Sequence, residues 1–242
     1  MITSAANPRL KLVRRLASRR QRERLGMFVC EGEDLVAAGL NAGIEPVEAL
    51  VDAERPALLE RLRGAEHVAP ALLRGVSTLG HHARVVAVFR RADLPALADP
   101  APPLGLALWR VADPGNLGTL LRAADAFGPA FVAISPGCAD PTGPKALRAS
   151  AGSVFRVPLG AFESAPRPWV ALALREGTPL DVLVFGDRVT FVIGAEREGL
   201  PADVEERCDQ RAWIRQTDSV DSLNVGIAGS IALWEWARRR PG

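Results

Sequence analysis

"LGLALWRVADPGNLGTLLRAADAFGPAFVAIS", Leu104 to Ser135, holds two apolar runs on either side of a helical pattern. "LGLALWRV" and "AFVAIS" read as strands that are apolar along their length. Strands of that kind are buried on both faces, and they point to a parallel sheet covered by helices. Between them Leu117, Leu120, Leu121, Ala124 and Phe127 recur at helical spacing. Asn116 stands at the start of that helix as its candidate N-cap. Gly118 permits a close approach by backbone or ligand. At about 100° per residue, Arg122 shares a face with Gly118, Thr119, Asp125 and Ala126 rather than with the leucines. Two readings fit it: an ion pair with Asp125 at i, i+3, or a guanidinium kept for function.

The alternation continues in both directions. Downstream, "PTGPKALRASAG" reads as a loop and short helix, "VFRVPL" as a strand and "RPWVALALREG" as a helix. "PLDVLVF", "VTFVIG" and "AWIRQ" read as strands, and "DSLNVGIAGSIALWEWARRR" as a long terminal helix. Upstream, the proline-rich "DLPALADPAPP", Asp93 to Pro103, reads as a linker. Before it come a basic helix from about Pro8 to Arg24, the strand "MFVCEG" and the helix "EDLVAAGLNAG" with a stop at Gly43. "EPVEALV" follows as strand, "RPALLERLRG" as helix and "ARVVAVF" as strand. The expected fold class is therefore α/β: a small α/β domain over residues 1–92, a linker over 93–103, and a parallel-sheet domain over 104–242.

The 242 residues are 48% hydrophobic and 24% charged, as in an ordinary globular protein. Net charge is only +2, but it is unevenly spread. Arg9, Lys11, Arg14, Arg15, Arg19, Arg20, Arg22 and Arg24 face one acid, Glu23, in a cluster suited to phosphates. No apolar run is long enough to cross a membrane, and no signal-peptide core follows the early arginines, so a cytoplasmic protein is expected. Cys30, Cys138 and Cys208 are scattered without a Cys-x-x-Cys pair, and His67, His81 and His82 form no ligand pattern. Neither a disulfide framework nor a metal site is expected. A dinucleotide fingerprint, a phosphate-binding P-loop and a nucleophile elbow are all missing.

Three strand-end loops carry the candidate chemistry, because ligands in open α/β sheets bind where strands end. The first is "DPGNLGTLLR". In the second, "VTFVIGAEREGLP", a strand stops at Gly194, Glu196 sits in the loop, and Gly199 and Pro201 shape the turn into a helix. In the third, "DSLNVGIAG", Ser222 is the candidate N-cap of the last helix and Asn224 lies in its first turn. Gly226, Ala228, Gly229 and Ser230 imply close packing against that helix.

Together these stretches resemble the SpoU family of RNA ribose 2′-O-methyltransferases, within the SPOUT superfamily. The matching segments are "NLGTLLRAADAFG", "KALRASAGSVFRVPL", "FVIGAEREGL" and "SLNVGIAGSIALWEW", in family order over Leu104 to Arg240. The start, "ITSAANPRLKLVRRLASRR…FVCEGEDLVAAGL", looks like the L30e-like RNA-binding domain that often precedes it. The resemblance implies a deep trefoil knot, S-adenosyl-L-methionine as methyl donor, a homodimer through the C-terminal domain, and RNA, most readily 23S ribosomal RNA, as substrate. It places catalytic roles on Asn116, Arg122, Glu196, Ser222 and Asn224. It places the cofactor against Gly194, Glu196, Gly199, Ile214, Leu223 and Asn224. RNA backbone falls to Arg9, Lys11, Arg14, Arg15, Arg19 and Arg20. In the family the arginine is proposed as the base that takes the hydroxyl proton. For Arg122 that reading stands beside a second, in which it fixes a phosphate and stabilises the developing alkoxide.

Two segments depart from the family. In the first domain "LGHHARVVAV" replaces the usual Pro-Gln-Gly turn before the last strand. "IRQTDSVDSLNV" carries Arg215, Gln216 and Asp218 where Pro, Met and Gly are usual. A charged loop against the cofactor weakens donor binding if its path changes. A homologue that binds RNA with little turnover, and a transfer-RNA 2′-O-methyltransferase, stay open as alternatives.

Overall fold

The computed structural model describes residues 1–54, 62, 64–77, 83–219 and 222–240. The helix expected over 55–64 lies almost wholly outside these residues, and His81 and His82 lie outside them. The first part runs α1 (Pro8–Leu16), α2 (Arg19–Leu25), β1 (Met27–Glu31), α3 (Glu33–Asn41), β2 (Glu48–Asp52), β3 (Glu66–Val68), α4 (Pro70–Arg74) and β4 (Val85–Arg90). Its strands form a sheet in the order β1-β4-β2-β3. β4 is antiparallel to β1 and β2, and β3 is parallel to β2.

The single basic helix expected over Pro8–Arg24 is two helices. The chain breaks at Ala17 and Ser18, whose amides reach back only three residues, to Arg14 and Arg15. The carbonyls of Leu16 and Ala17 are taken instead by Nη1 of Arg22, at 3.0 and 2.9 Å. Helix-end carbonyls need such a partner, and here a downstream guanidinium supplies it.

The second part runs β5 (Leu104–Leu108), α5 (Pro114–Phe127), β6 (Ala130–Ile134), α6 (Pro144–Ser150), β7 (Leu159–Ala161), β8 (Trp169–Leu172), β9 (Thr178–Pro179), β10 (Val189–Ile193), α7 (Ala202–Glu205), β11 (Gln210–Trp213) and α8 (Val225–Ala237). Seven parallel strands lie in the order β7-β6-β5-β10-β8-β11-β9. Every residue of β5 and β10 is buried, as continuous apolar runs demand. Each fully buried Leu or Phe contributes about 1.5–3 kcal/mol of transfer free energy.

Three sequence assignments are corrected here. "RPWVALALREG" is not a helix; its apolar half is β8, buried between β10 and β11. "PLDVLVF" joins the sheet only through β9. Its carbonyls at Leu180, Asp181 and Leu183 accept from the Arg239 guanidinium instead of a strand ladder. In "VFRVPL" the sheet starts only at Leu159. Before it, Ser153–Phe155 forms a 3₁₀ turn that sends Phe155 against Phe28 and Phe89 of the first part, with centroids 5.9 and 5.1 Å away.

The two parts are tightly joined. Residues Pro95 to Leu97, read as linker, bond to both backbone groups of Leu159 at 2.9 and 2.8 Å. Among the described residues no helix is long and apolar enough to cross a membrane.

Candidate active site

β5 and β10 are neighbours at the centre of the large sheet, and the three marked loops meet beyond their C-terminal ends. Pro114 opens α5 at its first position, which suits its fixed φ and missing N–H. The N-cap is Asp113, not Asn116. Asp113 Oδ1 accepts from the Asn116 amide at 2.9 Å, and Oδ2 receives Lys145 Nζ at 2.8 Å. The Lys145 bond and the Asn116 amide hold the Asp113 carboxyl below the usual aspartate range.

The cap of α8 is also displaced, two residues later than expected, whereas that of α5 lies three residues earlier. Asn224 Oδ1 accepts from the amides of Gly226 and Ile227 at 2.9 and 3.3 Å. Ser222 is not the cap. With both caps reassigned, Asn116 and Asn224 face one another: Asn224 Nδ2 donates to Asn116 Oδ1 at 3.0 Å. Asn116 Nδ2 donates to Glu196 Oε1 at 3.1 Å. Glu196 also accepts from the amides of Asp113 at 3.0 Å and Ala112 at 3.3 Å. Burial pushes the Glu196 carboxyl up, but these donors outweigh it and hold it below the usual glutamate range. One hydrogen-bond chain thus ties α8, α5 and the loop after β10 together.

The glycines serve packing. A Cβ on Gly118 would meet Ala149 Cβ at 2.4 Å and the Ala146 carbonyl at 2.6 Å, so Gly118 makes room for α6, not for Arg122. A Cβ on Gly229 would meet Leu120 at 2.3 Å, so α8 lies close on α5 as its small residues imply. Gly194 is required by its own loop: a Cβ there would fall 2.0 Å from the Gly199 carbonyl carbon. Ala195 and Gly199 close that loop with two 3.0 Å backbone bonds.

Arg122 stands outside the network. Its side chain is exposed and has no hydrogen bond or ion pair among the described residues. The Asp125 alternative is excluded, because Asp125 takes both Nε and Nη2 of Arg156. Arg122 lies one turn beyond Thr119, which packs beside Gly226 of α8.

A cavity opens beyond β8, β10 and β11. Gly194, Glu196, Gly199, Ile214, Leu223 and Ser222 all line it; Asn116, Arg122 and Asn224 do not. Its apolar wall at Leu172 and Leu174 escaped the sequence reading, because that run was read as a helix. Lys145 and the Asp113 cap were also missed; the Asp-Pro pair ahead of the helix was the available signal. Along the departing segment, Ile214 and Gln216 face the cavity. Arg215 and Asp218 turn away to Asp181 and Arg175, at 3.0 Å each.

The basic cluster is thinner than its sequence suggests. Arg22 is buried on Asp140, Arg9 pairs with Glu48 and Glu66, and Arg19 pairs with Glu23 and reaches the Cys138 carbonyl. Lys11, Arg14, Arg15 and Arg20 remain exposed.

Residues 103–234 match the SpoU rRNA Methylase family, and residues 7–87 match the MRM3-like substrate binding domain. An uncharacterized tRNA/rRNA methyltransferase of Synechocystis is 34% identical, over 100% of this chain and 96% of that one. The 23S rRNA (guanosine(2553)-2′-O)-methyltransferase RlmP of Bacillus subtilis is 27% identical, over 96% and 97%. An AdoMet-bound rRNA methyltransferase of Sinorhizobium meliloti superposes with a TM-score of 0.84 at 29% identity, over 98% and 97%. Fold, site and likenesses define an α/β RNA methyltransferase. The chain belongs to the SpoU rRNA methylase family.

Proposed function

We propose that the chain transfers a methyl group from S-adenosylmethionine to a ribose 2′-hydroxyl of ribosomal RNA, in the 23S molecule. The observation that carries this reading is the Asn224–Asn116–Glu196 chain at the rim of the cavity. The Bacillus subtilis relative is named for 2′-O-methylation of 23S rRNA, and the Sinorhizobium meliloti structure is described as AdoMet-bound.

The residues present fit that donor. The cavity has apolar walls for a flat base, an amide oxygen on Gln216 unpartnered among the described residues, and the Glu196 carboxylate toward a cation. When bound, S-adenosylmethionine supplies a methyl group activated by a sulfonium. Gly194, Ile214 and Leu223 shape its seat, and Gly199 and Ser222 border it. Glu196 fixes the start of α5, and Asn116, held from both sides, presents one orientation of its amide. Such positioning supplies much of the acceleration of an in-line displacement. Arg122 offers a planar donor fork to the neighbouring phosphate and to the alkoxide that develops at the 2′-oxygen.

In this reading residues 1–92 bind RNA, 93–103 connect, and 104–242 form the knotted catalytic domain. Lys11, Arg14, Arg15 and Arg20 meet the phosphate backbone, with Arg9 and Arg19 joining only if they leave their acidic partners. The enzyme is a cytoplasmic homodimer. Ile227 and Trp234, 51% and 48% exposed, support that assembly. They lie two turns apart along one side of α8, near the seam that carries Arg122.

The test is methylation of total RNA with labelled donor, followed by nuclease digestion and nucleoside mass spectrometry. A 2′-O-methylnucleoside mapped to 23S rRNA is expected. A base-methylated nucleoside, or no product from a protein that binds RNA, overturns the reading.

A further inference from the structure

Gln216 carries a buried polar atom left without a partner by the described residues. Its Oε1 is shielded from solvent and has no hydrogen-bond partner among the described residues, while the side chain lines the cavity between Ile214 and Leu223. Leaving a buried acceptor unpaired is costly, so its place on a ligand-sized cavity wall calls for a donor. The segment around it is tied down by Arg215 on Asp181 and Asp218 on Arg175. Those flanking pairs face outward and leave Gln216 as the one departing residue of the three that faces in.

The sheet order fixes which part of a ligand it meets. Glu196 follows β10, beside β5 and the Asn116 network. Gln216 follows β11, two strands away across β8, or about 10 Å at normal strand spacing. The reacting end of the donor belongs at the β5–β10 rim. The far end is walled by Leu172, Leu174, Ile214 and Leu223, which suits a flat base and not a charged amino-acid tail.

We infer that the Gln216 side chain recognises the adenine of the methyl donor, its amide oxygen accepting from the 6-amino group and its NH₂ facing the adjacent ring nitrogen. A side-chain amide presents an acceptor and a donor side by side, which matches that edge of adenine. The inference rests on the proposed reading of the cavity as the donor site. It makes adenine selectivity a side-chain property of this chain, at a position where its family commonly has Met.

The test is calorimetric binding of S-adenosylhomocysteine and of its analogue with hydrogen in place of the 6-amino group, to the full chain and to Gln216→Met. The unaltered protein is expected to prefer the 6-amino ligand by about tenfold more than Gln216→Met does, the size of one good buried hydrogen bond. Gln216→Glu keeps an acceptor and is expected to retain the preference; thermal unfolding checks that each variant is folded. Equal preference in the unaltered protein and Gln216→Met, or loss of preference in Gln216→Glu with the fold intact, overturns the assignment to Gln216. Failure of the unaltered protein to bind S-adenosylhomocysteine at all overturns the donor-site reading itself.

Discussion

Arg22 Nε donates to Asp140 Oδ2 at 2.8 Å, with side chains only 6% and 5% exposed. The pair joins the α1–α2 bend to the loop before α6, so one guanidinium serves two ends. Its Nη1 closes the carbonyls left open at the helix break, and its Nε meets the second part of the chain. The Asp140 carboxylate also accepts from the Thr142 amide and hydroxyl. Burial pushes its carboxyl up, but the Thr142 and Arg22 bonds and the Arg91 charge outweigh that and hold it below the usual aspartate range.

Arg22→Met is therefore expected to destabilise the chain by about 3 kcal/mol, because it leaves the buried Asp140 carboxylate to Thr142 and the more distant Arg91, 3.5 Å away. Adding Asp140→Asn, which removes the charge and keeps an acceptor for Thr142, is expected to restore part of the loss. The folded-state carboxyl is depressed, so its contribution is full above the ordinary aspartate value, near 4, and is lost as pH falls through the lower folded value. Denaturant unfolding should show a gap between the unaltered protein and Arg22→Met at pH 7 that narrows in acid. A gap that stays constant with pH would sink this account.

Gly118→Ala is expected to cost about 1–3 kcal/mol, although alanine favours helices. The new Cβ would press on Ala149 Cβ and on the backbone of Ala146 and Ser150, none of which can swing aside. The loss should appear as a lower thermal midpoint. Unchanged stability would mean that α5 and α6 separate freely.

Patterns of burial were legible in the sequence, and long-range partners were not. Leu117, Leu120, Leu121 and Ala124 announce a buried helix face, and all four are buried. The continuous apolar runs at β5, β6 and β10 announced strands of a parallel sheet. Trp169–Leu172 is too short for its apolar run to separate helix from strand by period alone. Nothing local shows that Arg239 takes the carbonyls of Leu180, Asp181 and Leu183, or that Phe155 leaves its own sheet for Phe28 and Phe89. At the site, the residue types were readable in "DPGNLG" and "SLNV". The caps were each misplaced, because Asp113 and Asn116, like Ser222 and Asn224, are equally good caps in sequence. Only the fold shows that Asn224 caps its helix while Asn116 binds Asn224 and Glu196.

Glu196→Gln is expected to lower methyl transfer by about tenfold to a hundredfold, the range for weakening a charge-assisted hydrogen bond. The amide keeps one acceptor oxygen but must turn an NH₂ toward a backbone amide or toward Asn116. In the unaltered enzyme the Glu196 carboxyl lies below the usual glutamate range. Its loss of charge therefore trims activity only on the acid side, below about pH 4.5, and adds no alkaline limb. Initial rates across pH with a constant-ionic-strength buffer check both statements. An acid limb centred near pH 6 would assign the titration to another group.

Arg122→Ala is expected to abolish turnover while changing stability by less than about 0.5 kcal/mol, because the side chain has no partner among the described residues to lose. Affinity for S-adenosylhomocysteine should be unchanged, since Arg122 does not line the cavity. Arg122→Lys keeps a charge but not the planar fork, so it should recover little activity. The informative comparison is kcat against KM for RNA. If Arg122 acts on the developing alkoxide, kcat falls and KM for RNA holds. If it only anchors a phosphate before reaction, KM rises, kcat holds and the salt dependence of binding weakens by about one phosphate contact. Retained turnover with unchanged KM would remove Arg122 from the reaction and shift the burden to the Asn224–Asn116–Glu196 chain and Ser222.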